Sequence, residues 1–502
     1  MTTDRLMREL TFVGQRFAEQ LTYNPDEPLL FSSGLFLFLF LGFSFVYMLL
    51  QRTDTLRLLF VTAFSYYFYY KSSGFYFFLL AVVTLSDYAL AHLICRTKSR
   101  GTRRLLLCTS LAVDLGLLFY FKYTNFFCAT WADIVGANFQ PYDIFLPVGI
   151  SFFTFQSLSY IIDVYRGQMR PLNRLLDYAF FVSFFPQLVA GPIVRARDFV
   201  PQIRKPVVIT DLMFGRAVYL ICAGLLKKCV ISDYISLNFV DRIFDTPTLY
   251  SGLENLLGAY GYALQIYCDF SGYSDMAIGL ALLLGFHFPQ NFNSPYQSDS
   301  VTAFWQRWHI SLSTWIRDYI YISLGGNRKG RLRQYFNLFL TMLLGGLWHG
   351  ASFNFIVWGG LHGAALVVHK CFSQQLLHHD RHYQSHGLRR VFAVLFTFHF
   401  VVCCWIFFRH TSFAASCDML QRIVTDFHPE LLPQVIHGYR YVLALMLVGY
   451  TVHFLPTGME DRLSRFFGRF GLLPSAVAVA TVIYIVIQVK SSTIQPFIYF
   501  QF

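Results

Sequence analysis

Charge is scarce in this sequence: only 14% of its 502 residues are Asp, Glu, Lys or Arg, against roughly 25% in an ordinary soluble domain. Cysteine is sparse as well. Ten Cys without regular spacing exclude a secreted disulfide scaffold. Cys95, Cys108, Cys222, Cys229, Cys268, Cys403 and Cys404 lie in or beside apolar runs, where a thiol acts as a small hydrophobe. No GxSxG elbow, P-loop or GxGxxG stretch is present, so an activated donor would not sit in a standard nucleotide cradle. No Cys/His spacing of the structural-zinc type occurs either. His378, His379, Asp380 and His382 read as solvated residues of a polar loop, and no metal is expected. The first thirty residues carry Asp4, Glu9, Glu19, Asp26 and Glu27 and do not read as a cleaved signal peptide.

What is abundant is apolar and aromatic. Hydrophobic residues make up 55% of the chain, with 56 Phe and 31 Tyr. That is more than one water-soluble core could bury, and it is the reverse of a disordered composition. The chain reads as an all-α polytopic membrane protein. Its net charge of +12, from 40 Lys and Arg against 28 Asp and Glu, then reflects basic cytoplasmic loops rather than nucleic acid, for which no module motif appears.

A spanning helix needs about 20 apolar residues. Ten to thirteen segments approach that length, the longest being about 257–286. The basic run Arg96–Arg104 and the loop 327–333 should be cytoplasmic. Segment 176–194 contains Pro186, Gly191 and Pro192, which break helices and suit a re-entrant loop buried in protein. Lys227 and Lys228 fit this topology less well. In 305–324, Trp305, Trp308, Leu312, Trp315, Ile316 and Tyr319 recur at spacings of three and four. That pattern predicts a helix lying in the membrane interface. The expected organisation is an interfacial segment over 1–30, a transmembrane domain over 31–489 and an aromatic tail over 490–502.

Ionisable residues inside apolar segments are functional candidates by default. Asp269, Ser271, Tyr273 and Asp275 interrupt the run 257–286. On a helix Asp269 and Tyr273 share a face, whereas Asp275 points elsewhere. Such groups also serve simply to hydrogen-bond neighbouring helices. His309, between Trp308 and Ile310, reads first as a packed histidine. His349, in Gly345-Gly346-Leu347-Trp348-His349-Gly350, is the stronger candidate: small residues flank it, and a neutral imidazole can act as a general base. His362 is a weaker companion. The tail Phe497-Ile498-Tyr499-Phe500-Gln501-Phe502 must dock on a membrane interface or in a protein groove.

Six stretches in order carry a family resemblance: Pro147–Gln156, Phe185–Ile193, Tyr267–Asp275, Phe304–Ser313, Leu347–Ala351 and Phe497–Phe502. Together they resemble the membrane-bound O-acyltransferases, in the bacterial branch that modifies alginate, peptidoglycan and teichoic acid. The resemblance implies a ring of about 11 tilted transmembrane helices with re-entrant and interfacial pieces, in a bacterial cytoplasmic (inner) membrane. It implies His349 as the catalytic histidine, His309 as its second signature residue, and Tyr499 as an acyl relay. The donor would be acetyl-CoA or an acyl carrier protein thioester, with no resident cofactor. A periplasmic SGNH-type partner would then acylate a polysaccharide. D-alanyl transfer, a polysaccharide exporter or secondary transporter, and a non-catalytic scaffold for a polymer synthase stand as alternatives. The inverted repeats common in transporters are not found.

Overall fold

The computed structural model describes residues 15, 19–25, 27–373, 385–456, 458–489, 497 and 498. Among the described residues every regular element is a helix. Four helical runs among the described residues are long and apolar enough to cross a bilayer: Asp54–Arg96, Arg100–Val135, Gly387–Arg409 and Leu472–Val489. Pro429–Gly438 and Arg440–Phe454 qualify together as a pair bent by 95°. The other apolar stretches form shorter, packed or interrupted helices. Phe38, Phe396 and Leu473 are each 77% exposed, which suits a lipid-facing surface and not a watery one. The chain is an all-α polytopic membrane protein. Most of the expected 1–30 and 490–502 segments, Tyr499 among them, and His378, His379 and His382 lie outside the described residues.

The described residues form two units. The first comprises Met1–Phe121, Asp143–Val189 and Arg195–Val207. Much of its aromatic excess is core: the Phe185 ring lies 5.1–6.2 Å from those of Phe36, Phe43, Phe64 and Phe68. Segment 176–194 breaks after the nine residues Leu175–Ser183, and a four-residue turn, Phe185–Leu188, follows with Pro186 near its start. Nine helical residues cover about 14 Å, less than half a bilayer core. The backbone beyond is non-helical and buried, as a re-entrant segment requires. Gly149 (φ +75°) packs on this turn so closely that a Cβ would stand 2.7 Å from Leu188 O.

Basic residues here are partly consumed by internal partners. Arg57, 1% exposed, donates to Ile203 O at 3.1 Å, and Arg204 makes a two-pronged contact with Asp177.

The second unit comprises Lys122–Tyr142, Ala190–Val194 and Val208–Phe502. Its axis is Gly252–Leu283, which starts with a Ser251/Glu254 capping box and would be about 48 Å long. Nearly every residue from Gly261 to Leu282 is buried, so the helix is surrounded by protein.

The 305–324 segment departs from expectation. It is not one interfacial helix but Val301–Trp305, a break, Ile310–Ile316 and a wider π turn, Arg317–Tyr321. His309 adopts φ +42° at the break, a left-handed conformation that ends regular helix. Trp305, Trp308 and Trp315 are buried at 8, 1 and 3% exposure. They are core residues, and the three- and four-residue spacing reflects packing against protein.

Candidate functional site

Asn291 organises the surroundings of His309. Its Oδ1 accepts from Ser311 N at 3.2 Å and Ser311 Oγ at 2.8 Å, and lies 3.1 Å from His309 Nδ1. A backbone N–H can only donate, so the oxygen end of the amide is fixed toward His309. Nδ1 must therefore carry the proton, and in the neutral ring Nε2 is the basic nitrogen. The amide nitrogen of Asn291 donates to Ser274 Oγ at 3.1 Å, and Ile193 N donates to Ser311 Oγ at 3.0 Å. Three of the sequence motifs thus meet on one polar chain: 267–275, 304–313 and the Gly191-Pro192-Ile193 end of segment 176–194.

The fourth joins through rings. His309 is fully buried, with its ring 4.6 Å from Phe270 and 6.1 Å from Trp348. His349 ends the helix Arg331–His349 and is 2% exposed. Its ring stands 5.0 Å from those of Trp348 and Trp358, and 5.2 Å from Phe408. The helix is held against Phe353–Cys371 by paired glycines, since a Cβ on Gly346 would meet Phe355 O at 2.3 Å and Gly359 Cα at 3.0 Å. His362, also buried, accepts the Trp305 indole N–H at Nδ1, 3.3 Å away.

The carboxylates of 267–275 divide between two lysines. Lys228 Nζ lies 2.5 Å from Asp269 Oδ1 and 2.9 Å from Asp233 Oδ1, while Lys227 pairs with Asp275 at 2.7 Å. The misfit of these lysines as topology signals has its reason here: their charges are matched inside the unit. Asp269 Oδ2 also accepts from Ile498 N at 2.8 Å. Phe497 packs 4.9 Å from Tyr273 and 5.6 Å from Phe270. Asp269 and Tyr273 therefore do share a face, and that face receives tail residues. Ser271 is fully buried beside them. Sequence reasoning missed Asn291, which no pattern marks, and Lys122, a charge inside the apolar candidate span at 105–127. Lys122 Nζ donates at 2.8 Å to the carbonyls of both Trp348 and His349.

Among the described residues no group of three or more His, Cys, Asp or Glu side chains is placed to hold a metal ion. A cavity of about 680 Å³, lined by Tyr260, Val394, Phe398, His399, Met446 and Tyr450 among others, includes neither His309 nor His349.

Residues 169–410 match the family profile described as MBOAT, the membrane-bound O-acyltransferase family. The Pseudomonas aeruginosa protein named "Probable alginate O-acetylase AlgI" is 42% identical over 404 residues, 78% of this chain and 74% of the relative. The chain belongs to the membrane-bound O-acyltransferase family. Within it, the Helicobacter pylori "Peptidoglycan O-acetyltransferase" is 37% identical over 79% of this chain and 80% of its own. The Bacillus subtilis "Teichoic acid D-alanyltransferase" is 32% identical over 52% and 68%. This membrane-bound O-acyltransferase is thus an acyltransferase, and its matched region includes Asp269, His309 and His349.

Proposed function

We propose that this protein, in a bacterial cytoplasmic membrane, moves an acetyl group from a cytoplasmic thioester to Tyr499. A separate periplasmic SGNH-type partner then transfers it to a polysaccharide such as alginate or peptidoglycan. The donor is acetyl-CoA or an acyl carrier protein thioester. Acetyl is preferred to D-alanyl because the O-acetylating relatives match over 78–79% of the chain, and the D-alanylating one over 52%.

The observation that carries the reading is the seating of Phe497 and Ile498 on Asp269, Phe270 and Tyr273, with the Phe270 ring against His309. Tail residues seated one ring away from His309 are what a relay needs and what a mere bilayer anchor does not. In the relay, the phenol oxygen of Tyr499 attacks the thioester carbonyl while His349 takes its proton, help worth roughly 10²–10⁴-fold. The C–S bond then breaks, and the thiolate leaves with that proton. An aryl ester retains enough transfer potential for onward attack by the partner. His309, oriented by Asn291, holds the reacting groups, and Asp269 registers the tail.

The test is purified protein in liposomes with acetyl-labelled donor. Label should appear on the protein, and disappear in His349→Ala and Tyr499→Phe. An unlabelled wild type that leaves every thioester donor intact would end the acyltransfer mechanism. Label persisting in Tyr499→Phe would end the relay.

A further inference from the structure

A helix C terminus leaves its last carbonyls without helical partners. At the end of Arg331–His349, two adjacent residues of Arg100–Val135 take three of them. The Tyr123 hydroxyl donates to Leu347 O at 2.6 Å. Lys122 Nζ donates to Trp348 O and His349 O, each at 2.8 Å, and lies 6.0 Å from the Trp348 ring centroid. Among the described residues no carboxylate pairs with this ammonium, unlike Lys227, which has one, and Lys228, which has two. A cation within a membrane domain is costly, and Tyr123 demonstrates that a neutral hydroxyl suffices to cap a carbonyl at this helix end. The charge itself needs a reason.

We propose that Lys122 is a positioning residue for acyl transfer. It pins the backbone of His349 and holds its ammonium on the carbonyls beside the reacting centre. The inference rests on the reading of His349 as general base. As the acceptor oxygen attacks the thioester, an O–C bond forms, the C=O π pair moves onto the carbonyl oxygen, and the acceptor's proton passes to His349. On collapse the C–S bond breaks, and the thiolate takes the proton from the imidazolium. Between those events the carbonyl oxygen is anionic, and a preorganised cation in a site shielded from water favours that state. The negative end of the helix dipole, roughly half a charge, lies at the same carbonyls. It offsets repulsion between the ammonium and the transient imidazolium.

The experiment is the single-turnover rate at which detergent-purified, full-length Lys122→Met, Lys122→Arg, Lys122→Gln, Tyr123→Phe and His349→Ala acquire labelled acetyl from acetyl-CoA. Lys122→Met should lower the rate at saturating donor by about 10–100-fold, less than loss of a direct oxyanion-hole donor, with the half-saturating donor concentration within threefold. Lys122→Arg should recover most of that loss, and Tyr123→Phe should stay within threefold of wild type. If Lys122→Met does not accumulate, the Arg and Gln variants carry the comparison, and equal rates in the two overturn the proposal. So does a loss in Tyr123→Phe that matches Lys122→Met, since Lys122 would then be a helix cap. A wild-type rate in Lys122→Met with an inactive His349→Ala overturns the role of Lys122 alone. A wild-type rate in His349→Ala overturns that role and the general-base reading together.

Discussion

Replacing Asn291 by Ala removes the acceptor that fixes the tautomer of His309, because the Ser311 and His309 donors both converge on its Oδ1. Loss of an orienting partner of this kind costs about 10–100-fold. The expected outcome for Asn291→Ala is therefore a transfer rate lowered by that factor, in protein that inserts and accumulates normally. An unchanged rate would make the pairing packing alone. A second residue-scale effect is electrostatic and lies outside the apolar spans. His428 is flanked by Glu430 at 2.7 Å and Asp426 at 2.8 Å, and these hydrogen bonds, that to Glu430 first, raise its pKa above the ordinary imidazole value. A pKa raised by folding stabilises most below the unfolded value, near ~6.5. That stabilisation is lost as pH rises through the folded value. His428→Asn removes the charge while tolerating the residue's φ of +46°. Its Tm should fall below wild type at pH 6, with the gap closing in mildly alkaline buffer. A gap independent of pH would show that the charge does not matter.

At the scale of elements, the helix hairpin that presents His349 depends on one glycine of an adjacent pair. A Cβ on Gly346 would collide with Phe355 O at 2.3 Å, whereas one on Gly345 would meet nothing closer than Ile316 Cδ1 at 3.7 Å. Alanine favours helix by up to about 1 kcal/mol over glycine, and overpacking costs about 1–3 kcal/mol. Gly345→Ala should thus be neutral or stabilising, and Gly346→Ala should lower both thermal stability and transfer rate. Equal behaviour of the two would mean that the helices part freely. The same element shows what is legible in sequence. The run Gly345–Gly350 stands out because a histidine and small residues interrupt an apolar stretch, and Asp269 stands out for its charge in another. The same rule marks Lys122 within 105–127, although no motif surrounds it to draw attention there. The break at His309 is illegible, since the spacing of Trp305, Trp308 and Trp315 suits one continuous helix. What overrides it is a left-handed residue held by Asn291, a side chain from a polar loop that no periodicity connects to it.

Across the whole molecule, the tail site and the intramembrane charges form one system. Asp269 divides its two oxygens between Lys228 and the backbone of Ile498, so the carboxylate that neutralises a buried lysine also fixes the register of the tail. Deleting residues 497–502 leaves the Asp269–Lys228–Asp233 cluster paired. Insertion and folding should therefore survive, while modification of the polymer should fall to background. Asp269→Asn acts on both halves at once. The amide oxygen can still accept from Ile498, yet it cannot balance the charge of Lys228 as the carboxylate does, and the remaining carboxylate shown against that lysine, Asp233, is partly exposed. Breaking one partner out of a buried pair costs about 3–5 kcal/mol, so Asp269→Asn should lower thermal stability far more than the deletion does. Detergent melting curves and a polymer O-acetyl assay on both variants separate the two functions. A deletion that melts as early as Asp269→Asn would mean that the tail is structural mortar for this unit. One that still acetylates polymer would remove Tyr499 from the mechanism.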